Sequence, residues 1–527
     1  MKKLIPFSLI ILVLLSCNLP SQGLPAFIAP SGNASPTPDW AATLRAAIPT
    51  ETPIPVAEIF AETPEAAAPE EPTPVPENPD PPPLTDNTPI LYSAQAGDTL
   101  GSIAFRFDVS VDEIASPDPI PLQGFINPNQ LLIIPNRLGN TTSTNKLIPD
   151  SEVVYTLSGI AGFDIQNYVT EQGGYLSTYR DYLGSAGNLS GAGIIAKIAL
   201  ENSINPRLLL ALLEYQSSWV SGQPKNPTAE EYPYGLINAD ESGLLNQLKW
   251  AVNQLSIGYY DWREGRMNEI RFKDGATARL EPTLNAGTVA VLYYFAQLYD
   301  SRDWLHAINP ETGFPALYEQ MFGNPWVRAN SVEPLFPPAI QQPILELPFM
   351  VNQMWSYTGG PHGAWEKDGS WAAVDFSPAR TESGCVDSTA YVTASAAGLV
   401  VRSGSGVVVL DLDGDGFEQT GWVIVYLHLA TQDRIEKGEW VETGDFLGHP
   451  SCEGGHATGT HVHLARKYNG EWMAADGAIP LVLTGWQAHA GSAPYKGTLT
   501  RDGETITAST VGNFGSRITR DRYEGSQ

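Results

Sequence analysis

Seventeen of the chain's 43 prolines lie between Ser21 and Ile90, and this concentration limits what the N-terminal part of the chain can fold into more than any other feature. Proline lacks the backbone N–H that helices and sheet ladders require. The residues between these prolines are mainly Ala, Glu and Thr, so residues 18–89 cannot bury a core and read as a disordered tether. In an extended polyproline-like state about 70 residues reach roughly 200 Å at most. The whole chain has 527 residues, too many for one ordinary core, so several folded units joined by linkers are expected after the tether.

Before the tether, Lys2 and Lys3 precede an apolar run from Leu4 to Leu15. The run is too short to span a bilayer as a helix and reads as an export signal. It ends at Leu14-Leu15-Ser16-Cys17, which resembles the lipobox of bacterial lipoproteins. The resemblance implies that residues 1–17 are a lipoprotein signal peptide. Cys17 would then be the acylated first residue of a mature chain that is exported and lipid-anchored to the cell membrane, facing the cell wall. With Cys17 so assigned, Cys385 and Cys452 remain in an oxidising compartment, and one disulfide between them is the expectation. Neither stands in a Cys-x-x-Cys spacing, which argues against a redox motif or a thiolate zinc site. The net charge of −28 argues against nucleic acid as a partner, and against any membrane contact through charge.

Past Ile90 the pattern changes. Gly97-Asp98-Thr99-Leu100 starts a helix through Ile103, Ala104 and Phe107, and Leu131-Leu132-Ile133-Ile134-Pro135 reads as a closing strand. With Tyr92 and Val109-Ser110, these residues resemble a LysM domain over 90–138. The resemblance implies a βααβ fold that binds N-acetylglucosamine-containing glycan of peptidoglycan. Residues 150–335 read as an α-helical domain, with apolar periodicity clearest over 194–200, 206–215, 244–258 and 288–299. Asn205-Pro206 is a helix start of the expected kind. The stretch from Asn205 to Ser217 and Leu284-Asn285-Ala286-Gly287 partly resemble the lysozyme-like fold of lytic transglycosylases. At the position where that family carries its catalytic Glu this chain has Gln216, which cannot protonate a glycosidic oxygen. Glu214 lies two residues earlier, about 200° around the helix. A wall-binding or scaffolding role for this domain is therefore favoured over glycan cleavage.

Pro334 to Pro348 mark a boundary. Residues 350–495 read as an all-β domain of short β-branched strands separated by Gly, Asp and Ser turns, followed by a C-terminal tail over 496–527. The fold class expected for the chain is thus multidomain α+β. Seven of the eight histidines fall between His362 and His489, a concentration that points to metal chemistry. On the strand His461-Val462-His463 the two imidazoles face the same side, so one can ligate while the other stays free to move protons. A hydrolytic zinc needs three protein ligands with the fourth position left open, and His362, Asp375 and His463 provide that set.

The surroundings narrow the reading further. Gly359-Gly360-Pro361-His362, Val374-Asp375-Phe376-Ser377, Tyr426-Leu427-His428-Leu429, the glycines Gly438, Gly444 and Gly448, and Gly459-Thr460-His461-Val462-His463 follow in order. Together they resemble the β-lytic and staphylolysin branch of the lysostaphin-type zinc endopeptidases. The resemblance implies Zn2+ held by His362, Asp375 and His463, with His428 and His461 as the catalytic pair, one acting as base and the other as oxyanion stabiliser in an order left open. It implies hydrolysis of peptide cross-links in peptidoglycan, at short Gly- or Ala-containing peptides. The branch also carries a segment like Ser451-Cys452-Glu453-Gly454-Gly455 before its H-x-H, in keeping with the disulfide. Trp371 stands where the better-known branch has its first His, and His362 supplies that ligand from an upstream loop. Asp411, Asp413 and Asp415 resemble the opening of a Ca2+ loop, although Trp422 stands where the closing Glu would be. The alternatives to a peptidase are a wall-binding scaffold or amidase activator, and a glycan-cleaving enzyme working through Glu214.

Overall fold

The computed structural model describes residues 88–184, 187–379 and 384–522. The signal peptide, Cys17 and the tether up to residue 87 lie outside the described residues. Two strands, β1 (Ile90–Ser93) and β2 (Leu131–Ile134), pair antiparallel around helix α1 (Leu100–Phe107). The helix starts where Thr99 accepts a hydrogen bond from the Ser102 N–H, and it stops at Asp108, which adopts the left-handed conformation. Tyr92, Ile103, Phe107, Leu132 and Ile134 form a small core of their own. The second helix of the expected βααβ pattern is only a 3-10 turn, Val111–Glu113. Ala115 already leaves it to pair with Ile133, and Pro117 and Pro119 lack the N–H that would extend it.

Four longer helices organise the next region: α2 (Gly191–Asn202), α3 (Pro206–Ser217), α4 (Leu244–Arg263) and α5 (Ala286–Leu298). Asn205 caps α3 by accepting from the Arg207 N–H, with Pro206 in its first turn. Helix α5 is buried around nearly its whole circumference, as befits the central helix of a bundle. The region is not purely helical, because two small two-stranded sheets, Arg180–Tyr182 with Asn188–Ser190 and Glu269–Arg271 with Thr277–Arg279, sit among the helices. Among the described residues, no helix is long and apolar enough to cross a membrane.

The C-terminal region is built on a nine-stranded sheet. Its strands are β3 (Met354–His362), β4 (Ala373–Pro378), β5 (Gly398–Gly404), β6 (Val407–Asp411), β7 (Trp422–Leu427), β8 (Trp440–Val441), β9 (Val462–Tyr468), β10 (Glu471–Trp472) and, from the far end of the chain, Arg517–Thr519. The order is β8-β5-β6-β7-β9-β4-β3 and then Arg517–Thr519, with β10 hairpinned onto β9. The strand residues alternate between two cores. Val408, Leu410, Ile424, Tyr426, Leu464, Val374 and Phe376 enter the core of the C-terminal region. Val407, Val409, Val423, Val425, Ala465 and Ala373 enter a core shared with the helical region. One face of the sheet is therefore covered by the helices.

The sequence reading treats 496–527 as a tail, and the structure corrects this. Gly497–Arg501 and Glu504–Thr507 extend a four-stranded sheet, and Arg517–Thr519 pairs with β3. Leu499 and Ile518 are core residues. The threonine-rich, short strands lack a long apolar run, so periodicity alone does not reveal them.

Candidate metal centre

Asp375 on β4 and His463 on β9 are directly opposed across an antiparallel pair, so their side chains share one face of the sheet. That face is the one the helices cover, since Ala373 and Ala465 belong to the same alternation. His461 stands two residues before His463 and points to the same side. His362 closes β3, and two irregularities in the β3–β4 register, between Tyr357 and Gly359 and between Gly359 and His362, turn it toward Asp375. Gly359 pairs with Asp375 in register, and a Cβ there would overlap the Asp375 carboxylate. His428 follows β7 with φ of 64°, a left-handed backbone that a non-glycine residue adopts at a cost of order 1–3 kcal/mol and that clusters at functional sites.

The contacts fix which ring nitrogens face inward. His362 Nδ1 donates to Gly360 O at 2.8 Å, and His463 Nε2 donates to Ala364 O at 3.0 Å. A carbonyl oxygen only accepts, so those nitrogens carry the protons, and His362 Nε2 and His463 Nδ1 face each other at 3.1 Å. Asp375 Oδ1 lies 3.4 Å from the first and 3.2 Å from the second, buried and without a hydrogen-bond partner. One ligand atom from each of the three residues falls within 4.8 Å of the others. Two lone pairs and a carboxylate in one small volume need a positive charge among them, supplied by a proton on His362 or by a metal ion. An oxygen-and-nitrogen donor set of this size fits zinc.

Electrostatics follow from burial and from that convergence. Burial alone would raise the Asp375 carboxyl, but the imidazoles of His362 and His461 hold it well below the usual carboxylate range. Burial opposes charge on His362, yet the Asp375 carboxylate outweighs it and raises that imidazole above its ordinary value. Burial lowers His463. It also pushes His428 down to about 3, helped by repulsion from His461 and His463. His428 Nδ1 donates to Glu453 O at 2.8 Å and His461 Nδ1 to Gly459 O at 2.7 Å. Both rings therefore turn Nε2 inward, 4.4 Å apart between centroids. His461 Nε2 lies 3.8 Å from Asp375 Oδ1. The expected ligand trio and the expected pair thus meet at one place, in the wall of a cavity of about 1440 Å³.

One neighbour escapes the sequence reading. Tyr495 stacks on His362 with ring centroids 4.1 Å apart and backs the ligand ring against rotation. It sits beside the segment taken for a tail, and no motif marks it. Cys385 and Cys452 form the expected disulfide, which ties the Ser451–Gly455 loop beside His428 to the chain after β4. Of the remaining histidines, His456 lines the cavity. His449 donates to Ala390 O and His489 contacts Thr500, both away from the trio.

Two other sequence candidates have structural explanations. Asp411, Asp413 and Asp415 gather within 4.8 Å, and their carboxylates accept from the amides of Asp413, Gly414, Gly416, Asp415 and Phe417 and from the Thr420 hydroxyl. The loop's own hydrogen bonds account for these side chains, and nothing in the geometry selects Ca2+. Glu214 accepts from the Val220 and Ser221 N–H groups at 2.8 and 3.0 Å and from the Ser221 hydroxyl, so it closes the end of α3. Gln216 accepts from the Tyr299 hydroxyl at 2.8 Å. The Glu214 carboxylate is thus engaged locally at the end of α3, and Gln216 contacts Tyr299 beyond α5.

Comparisons with known proteins agree with this layout. Residues 92–135 match the LysM domain family and residues 146–335 match the LasA N-terminal domain family. The second match spans the helical region. The chain is 27% identical over 300 residues to protease LasA of Pseudomonas aeruginosa, strains UCBPP-PA14 and PAO1, across 52% of this chain and 66% of the relative's length. It thus spans just under two thirds of those curated relatives. Among solved structures, a deep-sea M23 metalloprotease, pseudoalterin, aligns at 21% identity, covering 32% of this chain and 96% of that one, with a TM-score of 0.27. The catalytic domain of the antimicrobial peptidase lysostaphin from Staphylococcus simulans aligns at 23%, covering 24% and 90%, with a TM-score of 0.18. At those scores the two alignments add no weight to the sequence relationship. The chain is accordingly similar to protease LasA over 300 residues and carries a LysM domain followed by a LasA N-terminal domain.

Proposed function

We propose that the chain is a zinc-dependent endopeptidase that hydrolyses peptide cross-links of bacterial peptidoglycan. The observation that carries the proposal is the buried, hydrogen-bond-free Asp375 Oδ1 facing two inward imidazole nitrogens, with a second imidazole pair beside it. His362, Asp375 and His463 would hold the zinc. The chemistry that zinc supplies when bound is Lewis-acid activation of water and polarisation of the scissile carbonyl.

This chain's own residues do the rest. Gly360 O and Ala364 O fix the tautomers of the two ligand imidazoles, and the Tyr495 ring limits rotation of His362. His461 and His428 both turn Nε2 inward, since their Nδ1 atoms contact backbone carbonyls. One takes the proton of the attacking water and returns it to the leaving amine, while the other, with a proton taken up from solvent on Nε2 and given back to solvent on product release, donates a hydrogen bond to the oxyanion. The LysM domain would hold the glycan strand, and acylated Cys17 would tether the chain to the membrane facing the wall. The LysM match supports the glycan contact, while lipid attachment and the position facing the wall rest on the N-terminal sequence alone.

The test is incubation of the purified protein with isolated peptidoglycan, with and without a chelator, followed by mass analysis of the fragments. The proposal expects new amine termini that vanish with the chelator and return with zinc. Anhydro or reducing sugar ends would point to a glycan-cleaving enzyme, and an intact wall would favour the scaffold reading.

A further inference from the structure

His428 stands just past the end of β7 in a left-handed backbone conformation, so no strand ladder holds it as one holds His463. A single loop takes over that task from two sides. The His428 carbonyl accepts from the Ser451 N–H at 2.6 Å and from the Ser451 hydroxyl at 3.0 Å. Two residues on, Glu453 O accepts from His428 Nδ1 at 2.8 Å. Cys452, between them, is bonded to Cys385.

The side chain of Glu453 reaches back to the same stretch of chain. Its carboxylate accepts from the Thr431 N–H at 2.8 Å and from the Thr431 hydroxyl at 2.6 Å, three residues after His428. The Arg434 guanidinium lies 3.9 Å from that carboxylate and donates to Leu429 O at 3.0 Å. Gly406 lets the loop come this close, because a Cβ there would fall 2.5 Å from the Glu453 carbonyl carbon, and its φ of 77° suits glycine. Gly406 O in turn accepts from the Leu429 N–H at 3.1 Å.

A neutral imidazole carries its proton on whichever nitrogen has an acceptor, so the carbonyl at Nδ1 decides where the Nε2 of His428 points. Glu453 is exposed, and a carbonyl on an exposed loop stays in place only if something anchors it. Two hydrogen bonds at the surface add little to global stability, but they fix the one atom that orients the ring.

We infer that Glu453 is the positioning residue of His428: its carboxylate, anchored on Thr431, holds its own carbonyl against Nδ1 and keeps Nε2 turned toward His461. This rests on the peptidase reading above and names the residue through which one of its two free imidazoles is oriented. Glu453 itself touches no reacting atom.

The experiment compares the purified full chain with Glu453→Ala, Glu453→Gln and Thr431→Val. It measures kcat and KM on a soluble cross-linked peptide released from peptidoglycan, together with zinc content and thermal unfolding. The ring-nitrogen NMR signals of labelled histidine are recorded as well, with that of His428 assigned by its loss in His428→Gln. Glu453→Ala should lower kcat about ten- to hundredfold with KM, zinc content and unfolding temperature little changed, and should shift the His428 signal away from the form protonated only at Nδ1. Glu453→Gln can still accept from the Thr431 N–H and should keep kcat within about threefold of the unaltered chain, since one of its two contacts survives as it stands. Thr431→Val, which removes only the hydroxyl, should lower kcat about threefold. An unshifted His428 signal, or a kcat within about twofold of the unaltered chain, in folded Glu453→Ala overturns the inference; where that variant does not fold, the same result in Thr431→Val does so. If the unaltered chain cleaves nothing, the hydrolytic reading falls, and the His428 signal alone decides whether Glu453 orients the ring.

Discussion

Arg263, in the last turn of α4, donates from Nε to Glu471 Oε1 at 2.9 Å, joining the helical region to the hairpin that extends the His463 strand. The same guanidinium donates to Asp150 Oδ2 and to the Tyr259 hydroxyl, each at 2.9 Å, and to Ala96 O of the LysM unit. Its side chain and that of Glu471 are 9% and 3% exposed, so LysM, helices and sheet meet on one buried cation. A buried charge that loses its partner costs about 3–5 kcal/mol.

Arg263→Met should therefore destabilise the chain by about 3–5 kcal/mol, because Glu471 and Asp150 would be left buried without their cation. Glu471→Gln alone should cost less, since Arg263 keeps Asp150. Denaturant unfolding of both single variants and the double variant measures the coupling, expected at about 1–3 kcal/mol. Additive effects would mean the contact does not link the regions energetically.

Glu418 accepts from Arg402 at 2.7 Å and from Lys467 at 3.1 Å, with its side chain 6% exposed. Burial opposes its charge, but the two cations outweigh it and hold the carboxyl below the ordinary value of 4.5. A depressed carboxyl contributes stability above its unfolded pKa, and that contribution is lost as pH falls through the folded value. Thermal unfolding followed from about pH 6 to pH 3 should show stability dropping in the acid range. Glu418→Gln should flatten that slope and lower stability at neutral pH. An unchanged slope would remove this group from the account of acid sensitivity.

Glu214→Gln tests the glycan-cleaving alternative. Its carboxylate closes α3 through two backbone amides, so the substitution should cost about 1–2 kcal/mol of stability and leave fragment profiles from peptidoglycan unchanged. Loss of sugar-end products on this substitution would restore Glu214 as a catalytic acid.

What the sequence reveals and what it hides divide along physical lines. His461 and His463 are legible because strand periodicity puts them on one side, and Asp375 because its motif and register match. Asn205-Pro206 announces α3 because capping chemistry is local. His362 becomes legible only through a family pattern, since the bulges that bring it to Asp375 are not written in alternation. Tyr495, the strands after Gly497 and the second LysM helix are misread because their roles depend on distant partners: a ring of His362, an edge of β3, and Ile133. The covering of one sheet face by helices is likewise hidden. Val407 and Val408 are equally apolar, and only the fold assigns them to different cores.

The central claim is that His362, Asp375 and His463 together hold one metal ion. The most direct test is metal analysis of the purified chain with X-ray absorption at the zinc edge, in the unaltered protein and in His362→Ala and Asp375→Asn. The account predicts one zinc per chain, bound to nitrogen and oxygen donors at about 2.0–2.2 Å, and its loss from both variants while each stays folded by circular dichroism. Stoichiometric zinc retained in both variants, or none taken up by the unaltered chain from a zinc-containing buffer, would contradict it.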